Sequence, residues 1–213
     1  VRKEERNIQP LSDDYIKFIA FAHWKIKKTG QGIVGMITNN SYLDGLIHRD
    51  MRRKLMEDFD EIYILNLHGN SKRQEKTPEE GKDENVFDIQ QGVSIILLIK
   101  DGSSTKKINY ADLWGLREGK YKFLEEKDVE NTKWQELTPK EPQNFFVIKD
   151  FSGSDTYNVF FGLENIFTES SSGVKTHRDH FITDLSKQTL KNRILSFISS
   201  NDEVDVIRDL YEI

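Results

Sequence analysis

The chain has 213 residues, of which 36% are hydrophobic and 31% charged, with no cysteine and a formal net charge of -5. This is enough for one large domain, or one domain and a small extension, and Phe, Tyr, Trp, Ile and Leu recur too often for a disordered chain. A disulfide framework and a thiolate metal site are excluded; with neither a membrane-length apolar run nor a signal-like N-terminus (VRKEERNIQP), a soluble cytoplasmic protein is expected.

After a charged stretch over residues 1–10, Ser12, Asp13 and Asp14 supply a helix start with favourable negative charge. The segment DDYIKFIAFAHWKIKK carries Ile16, Ile19, Ala20 and His23 on one face and Tyr15, Phe18, Ala22 and Ile26 on the adjacent one. So wide an apolar stripe suits a helix packed on a sheet, and Lys27, Lys28 and Gly30 close it. IVGMIT (33–38) is a short β-branched run expected to form a strand buried on both faces, as in a parallel sheet. Ile47, Met51 and Leu55 mark a helix over about 47–57. EIYILNL (61–67) and VSIILLIK (93–100) read as further strands, with KINYADLW (107–114) and FFVIKDF (145–151) as candidates for two more. Residues 111–130 are mixed. Composition changes after Pro139 and Pro142, so a boundary is expected between 1–140 and 141–213. The tail over 184–212 reads as a helix with Leu190, Ile194, Phe197 and Ile198 on one face.

Motifs are few. There is no GxGxxG, Walker or GxSxG pattern, and the five histidines do not fall at metal-ligand spacing, so no metal is expected. His177 and His180 in THRDHF are too few for a site and read as a polar loop; His23 reads as packing against the sheet with its ring satisfied. Basic clusters at Lys25, Lys27 and Lys28, at Arg49, Arg52, Arg53 and Lys54, and at Lys72, Arg73 and Lys76 read first as solvated faces or loops. The acidic balance argues against a free-standing nucleic-acid binder, but not against one part of a larger DNA enzyme. Two features carry more. Asn39, Asn40 and Ser41 follow the carboxyl end of a strand, where open α/β sheets bind ligands, although the same residues also favour plain turns. The polar stretch from His68 to Gly92 is too long for a hairpin loop. Within it Phe87 is a lone aromatic, either an anchor that pins the loop to the core or a flat surface for stacking a base.

Taken together, DDYIKFIAFAHWKI, GIVGMITNNSYLDG with MRRKLMEDFDEIYILNLHGN, DENVFDIQQGVSIILLIK, YADLWGLREGKY and SSGVKTHRD resemble the adenine-specific DNA methyltransferase region of large single-chain restriction–modification enzymes, over most of residues 11–180. The resemblance implies an α/β fold, the C-terminal half of a Rossmann-like class I methyltransferase sheet. Gly32–Thr38 would be its fifth strand, Glu61–Leu67 its sixth and Val93–Ile99 its seventh, antiparallel one, with an α+β extension toward a target-recognition region. The implied activity is S-adenosylmethionine-dependent N6 methylation of adenine in double-stranded DNA, with flipping of the base. On matching positions, Asn39, Asn40, Ser41 and Tyr42 correspond to the loop lining the base pocket and Phe87 to the aromatic that stacks on the flipped adenine. Lys72, Arg73, Lys175 and Arg178 are the candidates for the DNA backbone.

The family's Gly-rich cofactor loop and its (Asp/Asn)-Pro-Pro-(Tyr/Phe) motif are both absent; the four prolines, Pro10, Pro78, Pro139 and Pro142, are never adjacent. The resemblance therefore implies a fragment, with the N-terminal half of the methylase domain missing. No catalytic residue and no cofactor are expected in this chain alone, and it is expected to be inactive by itself. The alternative is a non-catalytic DNA-specificity or protein-assembly module; the acidic charge suits a protein partner.

Overall fold

The computed structural model of the chain describes residues 8–167, 169, 179–200 and 206, whose contacts group them into one unit over Val1–Phe151 and another over Ser152–Ile213. The division falls after Phe151 and not near residue 140. The reason is that the run 145–151 is stitched into the first unit: Phe146 is fully buried, and its N–H donates to Leu43 O at 2.9 Å. FFVIKDF is accordingly a loop, not the expected strand. Asn144 before it takes a left-handed backbone (φ 52°), and the carbonyls of Gln143 and Asn144 are held by the Arg52 side chain, so no ladder can start there.

The first unit is built on a mixed sheet of five strands: β1 (Gly32–Asn39), β2 (Glu61–His68), β3 (Val93–Lys100), β4 (Lys107–Asp112) and the short β5 (Gln135–Glu136), in the order β1-β3-β2-β4-β5. β3 lies between β1 and β2 and runs antiparallel to both, while β2 and β4 are parallel. The three strands β1, β2 and β4 therefore point the same way, and their carboxyl ends lie along one rim.

One face of the sheet carries Val34, Ile62, Ile64, Ile96, Leu98, Ile108 and Tyr110, paired across strands as Val34↔Leu98, Ile64↔Ile96 and Ile62↔Ile108. Helix α1 (Asp14–Thr29) covers it with Ile16, Ile19 and Ile26, and α2 (Arg49–Asp58) adds Leu55. Each such side chain, once buried, contributes about 1.5–3 kcal/mol. α1 stops at Gly30, whose left-handed φ of 81° any larger residue would take up only with strain. His23 is satisfied as expected, through Asp58 Oδ2 at 2.7 Å, with its ring beside Phe59.

The other face is covered by α3 (Arg117–Glu126), which with Trp134 buries Leu65 and Leu67 under Phe123 and Leu124. Among the described residues nothing extends this cover over β1. Ile33 and Ile37 are 70% and 55% exposed, so β1 is not buried on both faces as its composition suggested. It is an edge strand, paired among the described residues with β3 alone. The stripe on α1 is likewise half covered: Phe18, Phe21 and Trp24 point to solvent. No helix among the described residues is long and apolar enough to cross a membrane.

The second unit contains the short helices α4 (Ser154–Asn158), α5 (Leu163–Ile166) and α6 (Asp179–Ile182), then α7 (Lys187–Ser199), begun by Ser186, whose hydroxyl accepts the Thr189 N–H. Phe197 of α7 meets Phe181 edge to face at 5.1 Å, whereas Ile198 is exposed. Lys175, His177 and Arg178 lie outside the described residues, as does the side chain of His180.

Candidate functional site

Two clefts flank the rim where β1, β2 and β4 end. The first, of about 240 Å³, is lined by Asn40, Asn66, His68, Tyr110, Asp112 and Trp114, with Asp44, Arg73, Glu75 and Lys149 also bordering it. A chain of hydrogen bonds crosses its floor from strand to strand. Asn40 Nδ2 donates to Asn66 Oδ1 (3.0 Å), Asn66 Nδ2 to the Tyr110 hydroxyl (3.1 Å), and that hydroxyl to Asp112. Asp112 also faces His68 Nε2 at 2.7 Å, while His68 Nδ1 lies 3.3 Å from Glu75 Oε1. The imidazole stacks on Trp114 and is held at the end of β2 by a left-handed backbone (φ 52°), just past a register shift between Asn66 and His68.

Burial is the largest influence on the His68 ring and opposes its protonation. Asp112 and then Glu75, by hydrogen bond and charge, overcome it and leave the pKa raised. Burial likewise pushes Glu75 up, but His68 and the Asn70 N–H outweigh it and lower that carboxyl. A histidine raised in the folded state contributes stability fully present below its unfolded value near 6.5 and lost as pH rises through the folded value. His48 has the opposite sign. Burial first, then the Arg52 charge, lower it, so its contribution is present above 6.5 and lost as pH falls through the lowered value. Thermal unfolding followed from about pH 6 to about pH 9 is expected to show a smaller alkaline decline in His68→Gln than in the parent chain. Equal declines would remove His68 as its source.

The second cleft, of about 840 Å³, lies beside the connection from β2 to β3 and is lined by Phe87, Ile89, Leu116 and Arg117 among others. Its wall is not slack. The side chains of Asp83 and Lys120, both fully buried, pair at 2.8 Å; Asp83 also accepts the N–H groups of Gly69 (2.7 Å) and Gly115 (2.8 Å), and Lys120 donates to the carbonyls of Leu67 and Glu84. Gly69 has φ 82°, and a Cβ there would lie 2.4 Å from Asn85 Cα, so only glycine lets the two segments meet. Asn85 is buried and bonds Gly69 O and Gln91 O, and Val86 is buried beneath Tyr121, whose hydroxyl donates to Val86 O. The loop is thus anchored by Asp83, Asn85 and Val86, while Phe87 remains 45% exposed. Its ring is not the core anchor.

The residues expected around a flipped base are brought only partly together. Asn40 lines the strand-end cleft and Phe87 the second one; they are linked through the chain by Asn40 N–H donating to Gly92 O at 2.9 Å. Asn39 and Ser41 form a local turn, the Asn39 Oδ1 accepting both the N–H and the hydroxyl of Ser41, which is the turn reading of this tripeptide. Tyr42 is a correction: it is fully buried in the core, faces Ser94 Oγ, and burial pushes its hydroxyl up to about 12, so it has no face to offer a ligand. Lys72 and Arg73 sit in an exposed turn, with Arg73 3.7 Å from Asp44 at the rim of the strand-end cleft. Arg52, read as part of a solvated basic face, is fully buried.

His68, Asp112, Trp114, Asp83 and Lys120 were not singled out by sequence reasoning. The signal that could have found the first three is position alone, since each lies at or just beyond the carboxyl end of a strand. Among the described residues no group of His, Asp and Glu could hold a metal ion.

No family model matches the chain, and no curated protein matches it. Solved structures do. The chain is similar to the ATP-dependent Type ISP restriction-modification enzyme LlaBIII bound to DNA, with 29% identity, a TM-score of 0.65 and coverage of 92% of this chain and 13% of that one. A nuclease-deletion mutant of the Type ISP restriction-modification enzyme LlaGI, in complex with a DNA substrate mimic, matches at 24% identity and TM-score 0.67, covering 92% of this chain and 19% of that one. A DrdV–DNA complex matches at 24% identity and TM-score 0.61, covering 88% and 20%. At 24% the last two speak for the fold alone. The chain spans between 13% and 20% of the length of these neighbours.

Proposed function

We propose that this chain is the base-facing part of an S-adenosylmethionine-dependent N6-adenine DNA methyltransferase within a restriction–modification enzyme. The observation that carries the reading is the order β1-β3-β2, in which an antiparallel strand is inserted between two that point the same way. The resemblance implies a seventh strand antiparallel to its neighbours, and β3 is antiparallel to both of the strands it pairs with. The likeness to DNA-bound LlaBIII supports the same assignment.

In this reading the unpaired edge of β1 receives the first half of the sheet, and the open face carrying Ile33 and Ile37 receives its cover, from residues outside this chain. The same residues hold the methyl donor. The polar groups across the floor of the strand-end cleft are engaged with one another from Asn40 to Glu75, so that cleft offers S-adenosylmethionine few free partners. No step of methyl transfer is therefore assigned to this chain. Its own task is to receive the base. Adenine's amino group is reached only when the nucleotide leaves the duplex, at a cost of a few kcal/mol in lost stacking and pairing. An exposed aromatic such as Phe87 returns roughly 1–3 kcal/mol of that by stacking. The base is received at Phe87 in the second cleft, with Asn40 in the neighbouring strand-end cleft, and Lys72 and Arg73 contact the DNA backbone.

Phe87→Ala in the complete methyltransferase is expected to lower the methylation rate by roughly 5- to 150-fold, the equivalent of 1–3 kcal/mol of lost stacking. Its thermal midpoint should stay within a few degrees of the parent, because the ring is not in the core. Full methylation by this variant would overturn the assignment of Phe87, and a stability loss with normal methylation would return it to a packing role.

A further inference from the structure

The Phe87 backbone is held more tightly than an exposed aromatic on a surface loop requires. Its N–H donates to Asn85 Oδ1 at 2.9 Å, and its carbonyl accepts from Arg117 Nη2 at 3.1 Å. The same guanidinium donates through Nε to Asn85 O at 2.7 Å and pairs with Asp88 at 2.7 Å. One side chain thus grips the residue two before Phe87, Phe87 itself and the residue after it. Arg117 is fixed in turn, since its own N–H donates to Glu84 Oε2 at 3.1 Å. The fork geometry matters here, because a lysine has one charged centre and cannot hold three points at fixed angles.

The ion pair among these contacts contributes little to folding. The Arg117 side chain is about one-third exposed and Asp88 is almost fully exposed, and ion pairs of that kind are worth roughly 0–1 kcal/mol. Phe87 lines the cleft with Ile89 and Leu116, two more exposed apolar side chains. A fixed backbone under a solvent-facing ring is the arrangement expected of a surface prepared for a flat ligand, where the loss of freedom on binding has been met in advance.

We propose that Arg117 is a positioning residue that sets the orientation of the Phe87 ring for stacking on an extrahelical base. The proposal rests on reading Phe87 as the stacking surface. It assigns Arg117 no contact with the reacting atoms.

The test uses the complete polypeptide that carries this chain and a duplex with 2-aminopurine opposite an abasic site, so that the fluorescent base leaves the helix readily. The fluorescence lifetime of the bound base reports its stacking, and methylation of an ordinary duplex is measured beside it. Phe87→Ala should shift the bound-state lifetime toward that of an unstacked base. Arg117→Gln should shift it the same way and reduce methylation roughly tenfold, as misplacement of a binding group does, with the thermal midpoint unchanged. Arg117→Lys should fall between Arg117→Gln and the parent. If Phe87→Ala leaves the lifetime untouched, the stacking surface itself is wrong and this proposal goes with it. If Phe87→Ala changes the lifetime and Arg117→Gln does not, the stacking surface stands and the positioning role is overturned. Should Arg117→Gln fail to fold, Asp88→Asn removes one point of the grip at an exposed site. A partial lifetime shift there supports the proposal, and the parental lifetime overturns it.

Discussion

Replacing Lys120 with methionine is expected to cost about 3–5 kcal/mol of folding stability, the usual consequence of leaving one partner of a buried ion pair alone. Lys120 and Asp83 have no exposed side-chain surface, and the ammonium meets Asp83 Oδ1 at 2.8 Å, Leu67 O at 2.7 Å and Glu84 O at 2.6 Å. Without it the carboxylate keeps only the N–H groups of Gly69 and Gly115, and two carbonyls lose their donor. Chemical denaturation should show the midpoint fall with little change in slope. Combining Lys120→Met with Asp83→Asn should recover part of the loss, because the neutral amide oxygen can still accept a backbone N–H without a buried charge. A loss below about 1 kcal/mol for Lys120→Met would mean that water reaches Asp83, which the geometry denies. By contrast, an exposed pair such as Lys76 with Glu80 should be removable at almost no cost.

The second large effect is expected at Arg52. Its guanidinium donates to Tyr42 O (2.5 Å), Gly45 O (2.8 Å), Gln143 O (2.6 Å) and Asn144 O (2.8 Å), four carbonyls from two segments that no β-ladder joins. Burial lowers its pKa to about 10, so it stays charged at neutral pH. Phe145 lies over the charge, with the guanidinium carbon 5.4 Å from the ring centre. Arg52→Met removes a donor from all four carbonyls, of which Gly45 O keeps the His48 N–H, a cost on the order of 3–4 kcal/mol in total. Arg52→Lys keeps the charge, cannot reach all four acceptors, and should recover only part. The local readout is hydrogen exchange at the Phe146 N–H, which donates to Leu43 O. In Arg52→Met it should lose protection before the amides of β3 do. Uniform loss of protection across β3 and Phe146 would show that Arg52 supports the whole sheet, not the clasp between these two segments.

Both expectations concern charged residues that the sequence presents as ordinary surface. Arg52 stands in a helix among Arg49, Arg53 and Lys54, and its neighbour Arg53 does behave as surface, pairing with Asp50 and Glu57. The difference between positions 52 and 53 is one of helical phase. Leu55 is buried, and a residue three before it shares its face. Phase was legible; that an arginine would occupy the buried face, and which carbonyls would meet it 91 and 92 residues away, was not. FFVIKDF shows the converse error. Its apolar run signalled burial correctly, for Phe146 is in the core, but burial was reached by a loop clasped by Arg52 and not by a strand.

The candidate site divides in the same manner. Asn40 and Phe87, which each line a cleft, could be picked out because a strand end and a lone aromatic are local signals, whereas Asn39 closes a turn with Ser41. His68 with Asp112 is a pair 44 residues apart, and Asp83 with Lys120 one 37 apart; each forms only because β2 and β4 lie side by side and α3 folds back on the connection that follows β2.

What the sequence determined by itself is the run of elements from α1 to β4. Helical and strand periodicities, Gly30 as a helix stop and the apolar run of β3 are properties of neighbouring residues, and they act on the chain before any distant contact exists. The tertiary structure alone decided which face of β1 stays open, which charges are buried, and that the polar stretch from His68 to Gly92 is a braced wall and not a slack loop. Those outcomes depend on which strands become neighbours. A buried charge or an exposed ring is defined by the groups that surround it, and the strand order that brings those groups together is written in no local stretch of the chain.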